Sequence, residues 1–510
     1  MNYHLACDVF ETIELLPTSP ELWQRLCSKV GALDTDEKSR LVDAIASRLL
    51  AGNSPNWLRY GALASLTRDP LWFVKQSGVA DADTPADAIM ALLVLFGYHA
   101  LARTPATGAF VQLYIDIDAP RLQRLVAQRM QSATAMHLPS TNGLRVAVYT
   151  PQIVSILHGG TAFTLNVMDV LAQVSFACQV FTAQEATISQ ADGHYGGLES
   201  VQRREIIIES LKLNVTGNVQ AVLPNVEFSL RFRLEHMLAA IHTYEPDVVI
   251  FVGFMSPLVY RLFENYPIVG LSLHALPPIA PVDVWLSADP LGETALWPDV
   301  PAPKLAHYPF RFWPKGQAVP IDRAKLEIPA TAVVLITTGY RLDTEMSEPW
   351  RGQMLDFIDA HQNVHWLLIG IPEGQPVSDL PARSRIHCFA PQVPLESWLA
   401  ACDIYINPPR VGGGGTIAMA MEQGLAVLTM DGCDGGDKVG VWAAASLDSY
   451  FERLATWTAN DTERQQVGAA LKGQFHARLD ISSTQAQDGL LQACQSAIES
   501  FKQRTGHRYA

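Results

Sequence analysis

At 510 residues the chain exceeds the size at which one hydrophobic core keeps growing, so two or three domains are expected, and 48% apolar against 17% charged residues excludes extended disorder away from the termini. A formal charge of −14 with a pI near 5.4 excludes nucleic-acid binding unless a local basic stripe compensates, and the sequence holds none. A single diphosphate stays accessible, since backbone N–H groups and one or two cations hold it whatever the global charge.

The cysteines, Cys7, Cys27, Cys178, Cys388, Cys402, Cys433 and Cys494, are odd in number and show no CxxC spacing. That pattern suggests neither a zinc site nor a disulfide framework and fits a reducing cytoplasm. Residues Met1–Pro17 carry Asp8, Glu11 and Glu14 where a secretory signal has a basic segment and an apolar run, so no signal is expected. The longest apolar stretch, Ala88–Ala102, is too short to span a bilayer and contains Gly97, Tyr98 and His99, and it reads as a buried helix.

In chain order, helical periodicity dominates to about Gln131. Ser19-Pro20 and Thr84-Pro85 each place a hydroxyl before a proline suited to a first helical turn, and Leu22, Leu26 and Val30 share a face. An all-helical domain over residues 1–140, without a repeat signature, is expected to scaffold or to seat an acceptor. The texture changes at Leu144–Thr150, a short β-rich run followed by a loop and the helical stretch Phe163–Leu171. Cys178–Phe181, Val248–Val252, Ile268–Leu273 and Val282–Leu286 then alternate with helical segments, the pattern of a doubly wound parallel sheet over 141–325. The proline-rich stretch Trp297–Pro320 reads as an interdomain linker. The alternation restarts with Ala332–Thr337, His365–Ile369, Ile386–Phe389, Ile404–Asn407 and Ala426–Thr429, a second Rossmann-like half over 326–510. The fold class is therefore α/β, two Rossmann-like halves after an all-α segment, with ligands expected beyond the carboxyl ends of the strands.

The strongest local signal is Asn407-Pro-Pro-Arg-Val-Gly-Gly-Gly-Gly-Thr416, where a strand ends, four glycines turn the chain, and a helix begins. Such a loop offers unpaired N–H groups and the positive end of a helix dipole to a phosphate, although glycines also serve simply to make a tight turn. GxxxxGK[ST] is absent, and GxGxxG is missing after Thr150 and Thr337, which weakens kinase and dehydrogenase readings.

At these residues the chain resembles the GT-B glycosyltransferases that include the O-linked N-acetylglucosamine transferases and the bacterial cytoplasmic glucosyltransferases acting on adhesin asparagines. The resemblance covers roughly the last two-thirds of the chain, as scattered motifs. Thr337-Thr-Gly-Tyr-Arg-Leu-Asp343 is similar to a family segment ending Tyr-Lys-Ile-Asp, which puts Arg341 in the place of a lysine on the nucleotide diphosphate. Ala390-Pro-Gln-Val-Pro-Leu-Glu-Ser397 resembles a base-lining segment, implying backbone contacts from Gln392 and Val393, while its prolines by themselves also explain a strand-to-helix loop. The family's His-Thr-Thr loop falls on Gly414, Gly415 and Thr416, beside Gly413. Its ribose-binding aspartate falls on Met419, which accepts no hydroxyl proton. Glu422 is the nearest carboxylate to replace it, and Lys438 is a further phosphate candidate.

For the acceptor side the resemblance implies a histidine, and two fall directly after expected strands: His158, beside Gly159-Gly160, and His274 in Leu271-Ser-Leu-His-Ala-Leu-Pro277. Either suits a general base near neutral pH, and His158 alternatively positions the sugar. Asp283 is expected only to anchor a loop. No metal-ligand spacing occurs, so neither metal nor other cofactor is expected beyond the nucleotide-sugar donor, a UDP-sugar first. The expected reaction moves a hexose or N-acetylhexosamine to an acceptor, a protein side chain first, with a glycan or lipid-linked saccharide second and a non-catalytic partner subunit third. The stereochemistry stays open.

Overall fold

Residues 5, 20–51, 56–67, 69–104, 107–131, 144–153, 158–174, 176–187, 220–226, 228–272, 276–288, 297–371, 384–412 and 414–506 are described in the computed structural model. The N-terminal segment folds into the helices Pro20–Gly31, Thr35–Leu50, Asn56–Thr67, Pro70–Val79, Ala86–Arg103, Thr107–Asp116 and Ala119–Ala127. Their starts follow elementary capping: Asp69 accepts the Leu71 N–H before Pro70, and Asp118 accepts the Arg121 N–H before Pro120. The apolar stretch read as a buried helix is one, with Ile89, Leu92, Leu93 and Phe96 at most 3% exposed.

These helices do not own their core. Leu63, Phe96, Tyr114 and Leu122 belong to the same buried cluster as Tyr149, Phe251 and Trp285 of the sheet that follows. Gln123 Nε2 donates to the Ile279 carbonyl and Arg261 to the carbonyls of Ala127 and Met130, so the seam is hydrogen-bonded as well as apolar.

The first sheet is parallel, in the order β3-β2-β1-β4-β5-β6-β7. Its strands are β1 (Arg145–Tyr149), β2 (Ala177–Phe181), β3 (Gln220–Val222), β4 (Val248–Val252), β5 (Ile268–Leu271), β6 (Val284–Ser287) and β7 (Lys304–His307). β4 through β6 are buried along their whole length, as expected of parallel strands with both faces covered. β7 corrects the reading of Trp297–Pro320 as linker throughout: Lys304–His307 add to the edge of the sheet in register with Val284–Ser287. The prolines around it hid a four-residue strand.

The second sheet, also parallel, runs β10-β9-β8-β11-β12. It comprises β8 (Val333–Thr338), β9 (Val364–Ile369), β10 (Ile386–Phe389), β11 (Ile404–Ile406) and β12 (Ala426–Leu428), covered by helices that include Glu348–Ala360, Gly415–Gln423, Leu447–Ala459 and Asp461–Arg478.

The final helix, Thr484–Thr505, corrects the assignment of all of 326–510 to the second half. It returns to the first sheet, where Ala486, Leu490, Cys494 and Ala497 are buried with Val146, Ile250 and Val269. Two crossings run side by side: Arg311 and Phe312 donate their N–H groups to the Leu479 carbonyl, and Ile481 N–H returns to Phe312. Arg504 then closes on the buried Asp283 carboxylate at 2.7 Å, and the same carboxylate accepts the Ile268 N–H, the anchoring role expected of it.

Candidate functional site: two switch points

In each sheet the strand order reverses once, between β1 and β4 and between β8 and β11, and loops leaving the carboxyl ends of those pairs diverge to leave a crevice.

At the second sheet, Arg341 leaves β8 and the glycine run leaves β11. The run opens the helix Gly415–Gln423 with Gly414 as N-cap in a left-handed conformation, φ +64°, and no side chain caps it. The amides of its first turn therefore face out with the positive end of the dipole. A Cβ on Gly414 would sit 2.8 Å from the Lys438 side chain, whereas one on Gly415 would meet only Phe312 at 3.9 Å. Lys438 is 4% exposed, paired with Asp437 at 3.0 Å and placed over the Phe312 ring, so a cation does lie against the glycine loop. The Thr416 hydroxyl lies near that of Tyr405. Gly413 lies outside the described residues.

Three residues without an assigned role organise this crevice. Glu345 is buried and takes both Arg341, at 2.6 Å, and Arg410, at 2.7 Å. Arg410 lies 3.5 Å from Asp434, whose Oδ1 accepts the Gly414 N–H at 2.5 Å. The Asp434 carbonyl is held by Thr429 and Asn407, and its N–H by the Arg410 carbonyl. Gly412 has to be glycine for the same reason, since a Cβ there would stand 2.8 Å from the Asp434 carboxyl carbon. An alternating chain Arg341, Glu345, Arg410, Asp434 thus ends on the glycine loop. Although burial opposes it, the charges of Arg410 and Arg341 hold the Glu345 carboxyl below its ordinary range. The signals in the sequence were a lone cation inside a proline–glycine run and an i,i+4 Arg–Glu pair.

The remaining donor-side residues stand apart. Glu422, expected near the ribose, is 3% exposed and its carboxylate accepts the Gly316 N–H at 2.6 Å, while Gln423 accepts the Ala318 N–H at 3.0 Å. Both pin the segment entering the second sheet, and burial raises the Glu422 pKa. Met419 packs half-buried against the core. Gln392 and Val393 follow the edge strand β10; the Gln392 amide bonds the Ala390 carbonyl and Val393 is 72% exposed.

At the first sheet, His158 is the N-cap of the helix Gly159–Gln173, and its Nδ1 accepts the Thr161 N–H at 3.3 Å. A ring nitrogen that accepts carries no proton, so the neutral imidazole bears its proton on Nε2. Desolvation lowers the His158 pKa and favours that neutral form. With this pairing the ring is a hydrogen-bond donor at Nε2; the tautomer with a lone pair at Nε2, which a general base needs, has Nδ1–H donating to Thr161 Oγ1, 3.1 Å away, in place of the cap. His274 lies outside the described residues.

His158 stands at the mouth of a cavity of about 260 Å³ between the helical segment and the carboxyl ends of β1 and β4, with Val94, Phe110, Tyr114, Phe163 and Glu185 among its walls. Among the described residues no group of His, Cys, Asp and Glu has the arrangement of a metal site, and no helix is long and apolar enough to cross a membrane.

No family model and no curated protein matches the sequence. Solved structures do match the fold. A lysine-to-methionine variant of the O-GlcNAc transferase of Thermobaculum terrenum superposes with a TM-score of 0.52 at 12% identity, covering 98% of this chain and 99% of that one. The sucrose-phosphate synthase of Thermosynechococcus elongatus covers 68% of this chain and 98% of its own at 13% identity, TM-score 0.48. The glycosyltransferase SnogD of Streptomyces nogalater covers 69% and 100% at 14% identity, TM-score 0.41. The fold is GT-B: a helical segment followed by two parallel Rossmann-like sheets.

Proposed function

We propose that the chain is a metal-independent glycosyltransferase that moves a hexose or N-acetylhexosamine from a nucleotide-sugar, a UDP-sugar first, to a protein side chain in the cytoplasm. The observation that carries this reading is the chemical split between the two crevices. The second sheet presents helix-start amides at Gly415 and Thr416 with the cations Arg341 and Lys438 nearby, which suits a diphosphate and its departure as an anion. The first sheet presents an Nε2–H donor on His158 at the mouth of an open cavity, which suits the sugar and acceptor. In this mechanism the amides and cations take up the charge on the leaving diphosphate, His158 donates a hydrogen bond to an oxygen that gains charge in transfer, and the acceptor's proton passes to the departing diphosphate. The free cysteines support the cytoplasmic setting.

Calorimetric titration with UDP, GDP, CDP, dTDP and the corresponding nucleosides tests the donor site, followed by a transfer assay with the sugars of the nucleotide that binds. Gly415→Val is the sharp variant. Its Cβ meets only Phe312, at 3.9 Å, so the fold should persist, yet the side chain covers the first-turn amides and should abolish diphosphate binding. Normal diphosphate binding in Gly415→Val would remove the glycine run from the donor site.

A second reading, a non-catalytic partner subunit, is favoured by one specific arrangement. The Asp434 carboxylate already occupies the Gly414 N–H, where it opposes a second anion, and Met419 supplies no ribose acceptor. Failure of all four diphosphates to bind would select it.

A further inference from the structure

The cavity under the helical segment contains a carboxyl group that neither the donor site nor His158 uses. Glu185 is 1% exposed and borders the cavity. Its Oε1 takes two donors, the Tyr149 hydroxyl and Ser256 Oγ, the latter at 2.5 Å. Its Oε2 is closed to solvent and has no partner among the described residues. A buried carboxyl oxygen without a hydrogen bond is costly, and native structures rarely keep one without a ligand or a role.

The segment carrying Glu185 is held in place at some expense. Gln184 has φ +53°, a left-handed conformation uncommon for a residue with a side chain. Arg233, fully buried, donates to the carbonyls of Ala183, Gln184 and Thr187, and so grips the turn on either side of the glutamate. The Gln184 amide reaches the Ile153 carbonyl, and Glu185 N–H donates to the Pro151 carbonyl at 2.7 Å. A strained, over-determined backbone that delivers one carboxyl to a cavity wall is the pattern of a functional constraint.

Most of the remaining wall is apolar, with Met90, Val94, Phe110, Phe163 and Phe254 contributing, and Thr150, Gln152 and Ser272 also border it. Its volume of about 260 Å³ exceeds the roughly 150 Å³ of an engineered apolar cavity that binds benzene. One aromatic ring leaves space unfilled; a two-ring or substituted aromatic group fits.

We propose that this cavity binds a hydroxylated aromatic group, its ring against the apolar wall and its hydroxyl donating to Glu185 Oε2. That the bound group is the acceptor of transfer rests on the glycosyltransferase reading; its binding does not. The hydroxyaromatic can be a free phenol or a tyrosyl side chain, which present the same chemistry.

The test titrates the full chain with 2-naphthol, its methyl ether 2-methoxynaphthalene, and N-acetyltyrosinamide, following intrinsic fluorescence and heat, with UDP titrated into the same preparations. One of the hydroxylated probes is expected to bind saturably, with the methyl ether about tenfold weaker or more, because it leaves Oε2 unpaired. Glu185→Gln should weaken the hydroxylated probe severalfold. Val94→Phe, which adds bulk to the apolar wall, should weaken it at least about tenfold while retaining a cooperative melting transition. The tighter of 2-naphthol and N-acetyltyrosinamide names the source. Binding of neither, equal binding of the methyl ether, or unchanged affinity in Val94→Phe overturns the site. Bound UDP with no hydroxyaromatic binding removes the cavity proposal alone, whereas the reverse removes the transferase reading and leaves the cavity.

Discussion

The two crevices are built at equivalent points of two similar parallel sheets, yet their chemistry is opposite. The second holds an alternating ladder of charges, Arg341, Glu345, Arg410 and Asp434, ending on a backbone amide. The first holds a mostly apolar wall, an imidazole and one buried carboxyl. The difference teaches that a sheet topology supplies the position of a site and nothing of its chemistry, which comes from a handful of loop residues. A preorganised set of fixed charges suits a ligand that is itself charged; an apolar pocket with a single polar group suits one recognised by shape and one hydrogen bond.

The comparison breaks most visibly at Arg410. Removing it leaves the buried carboxylates of Glu345 and Asp434 facing each other without their shared cation, so Arg410→Ala should lower stability by about 3–5 kcal/mol. Urea denaturation of variant and parent measures it, and a loss under about 1 kcal/mol would mean that the ladder is incidental.

His158→Ala removes the Nε2–H donor at the first crevice. Under the proposed function, turnover should fall about 10²–10³-fold while the diphosphate Kd stays near that of the parent. Near-parental turnover in a transfer assay would take His158 out of the reaction and leave His274 as the histidine to examine.

Glu185 gives the first crevice a pH signature absent from the second. Burial pushes its carboxyl from an ordinary 4.5 up to about 7, against the hydrogen bonds of Ser256 and Tyr149. Between those values the folded chain keeps a proton that the unfolded chain has lost, so this group's contribution is full below about pH 4.5 and declines by about 3 kcal/mol as pH rises through about 7. Glu185→Gln should flatten that decline in a stability profile taken from pH 5 to 8. Identical slopes in the two proteins would show that Glu185 does not titrate in this window.

The smallest effect is expected at Arg341, whose guanidinium is partly exposed and already shared with Glu345. Arg341→Ala should weaken diphosphate binding by about 1.5–3 kcal/mol and leave nucleoside binding almost unchanged. Equal losses for both ligands would place Arg341 away from the phosphates and make its pairing with Glu345 purely structural.

Strand runs such as Val248–Val252 and Val333–Thr338, the buried helix around Ile89, and the glycine loop ahead of a helix were legible in the sequence. Each is a local consequence of side-chain period, β-branching or backbone freedom. What depended on distant partners was not legible. Lys304–His307 became a strand only because β6 offered an open edge, and Thr484–Thr505 left the second half because the first sheet had an uncovered apolar face. The tautomer of His158 depended on an N–H three residues away, in a geometry that only the helix start creates. Composition and period thus determined that two parallel sheets would form and where their loops would fall. Only the tertiary structure decided that Asp434 meets the Gly414 amide and that Glu185 Oε2 has no partner among the described residues, because pairing of buried charges is a property of distance and not of sequence order.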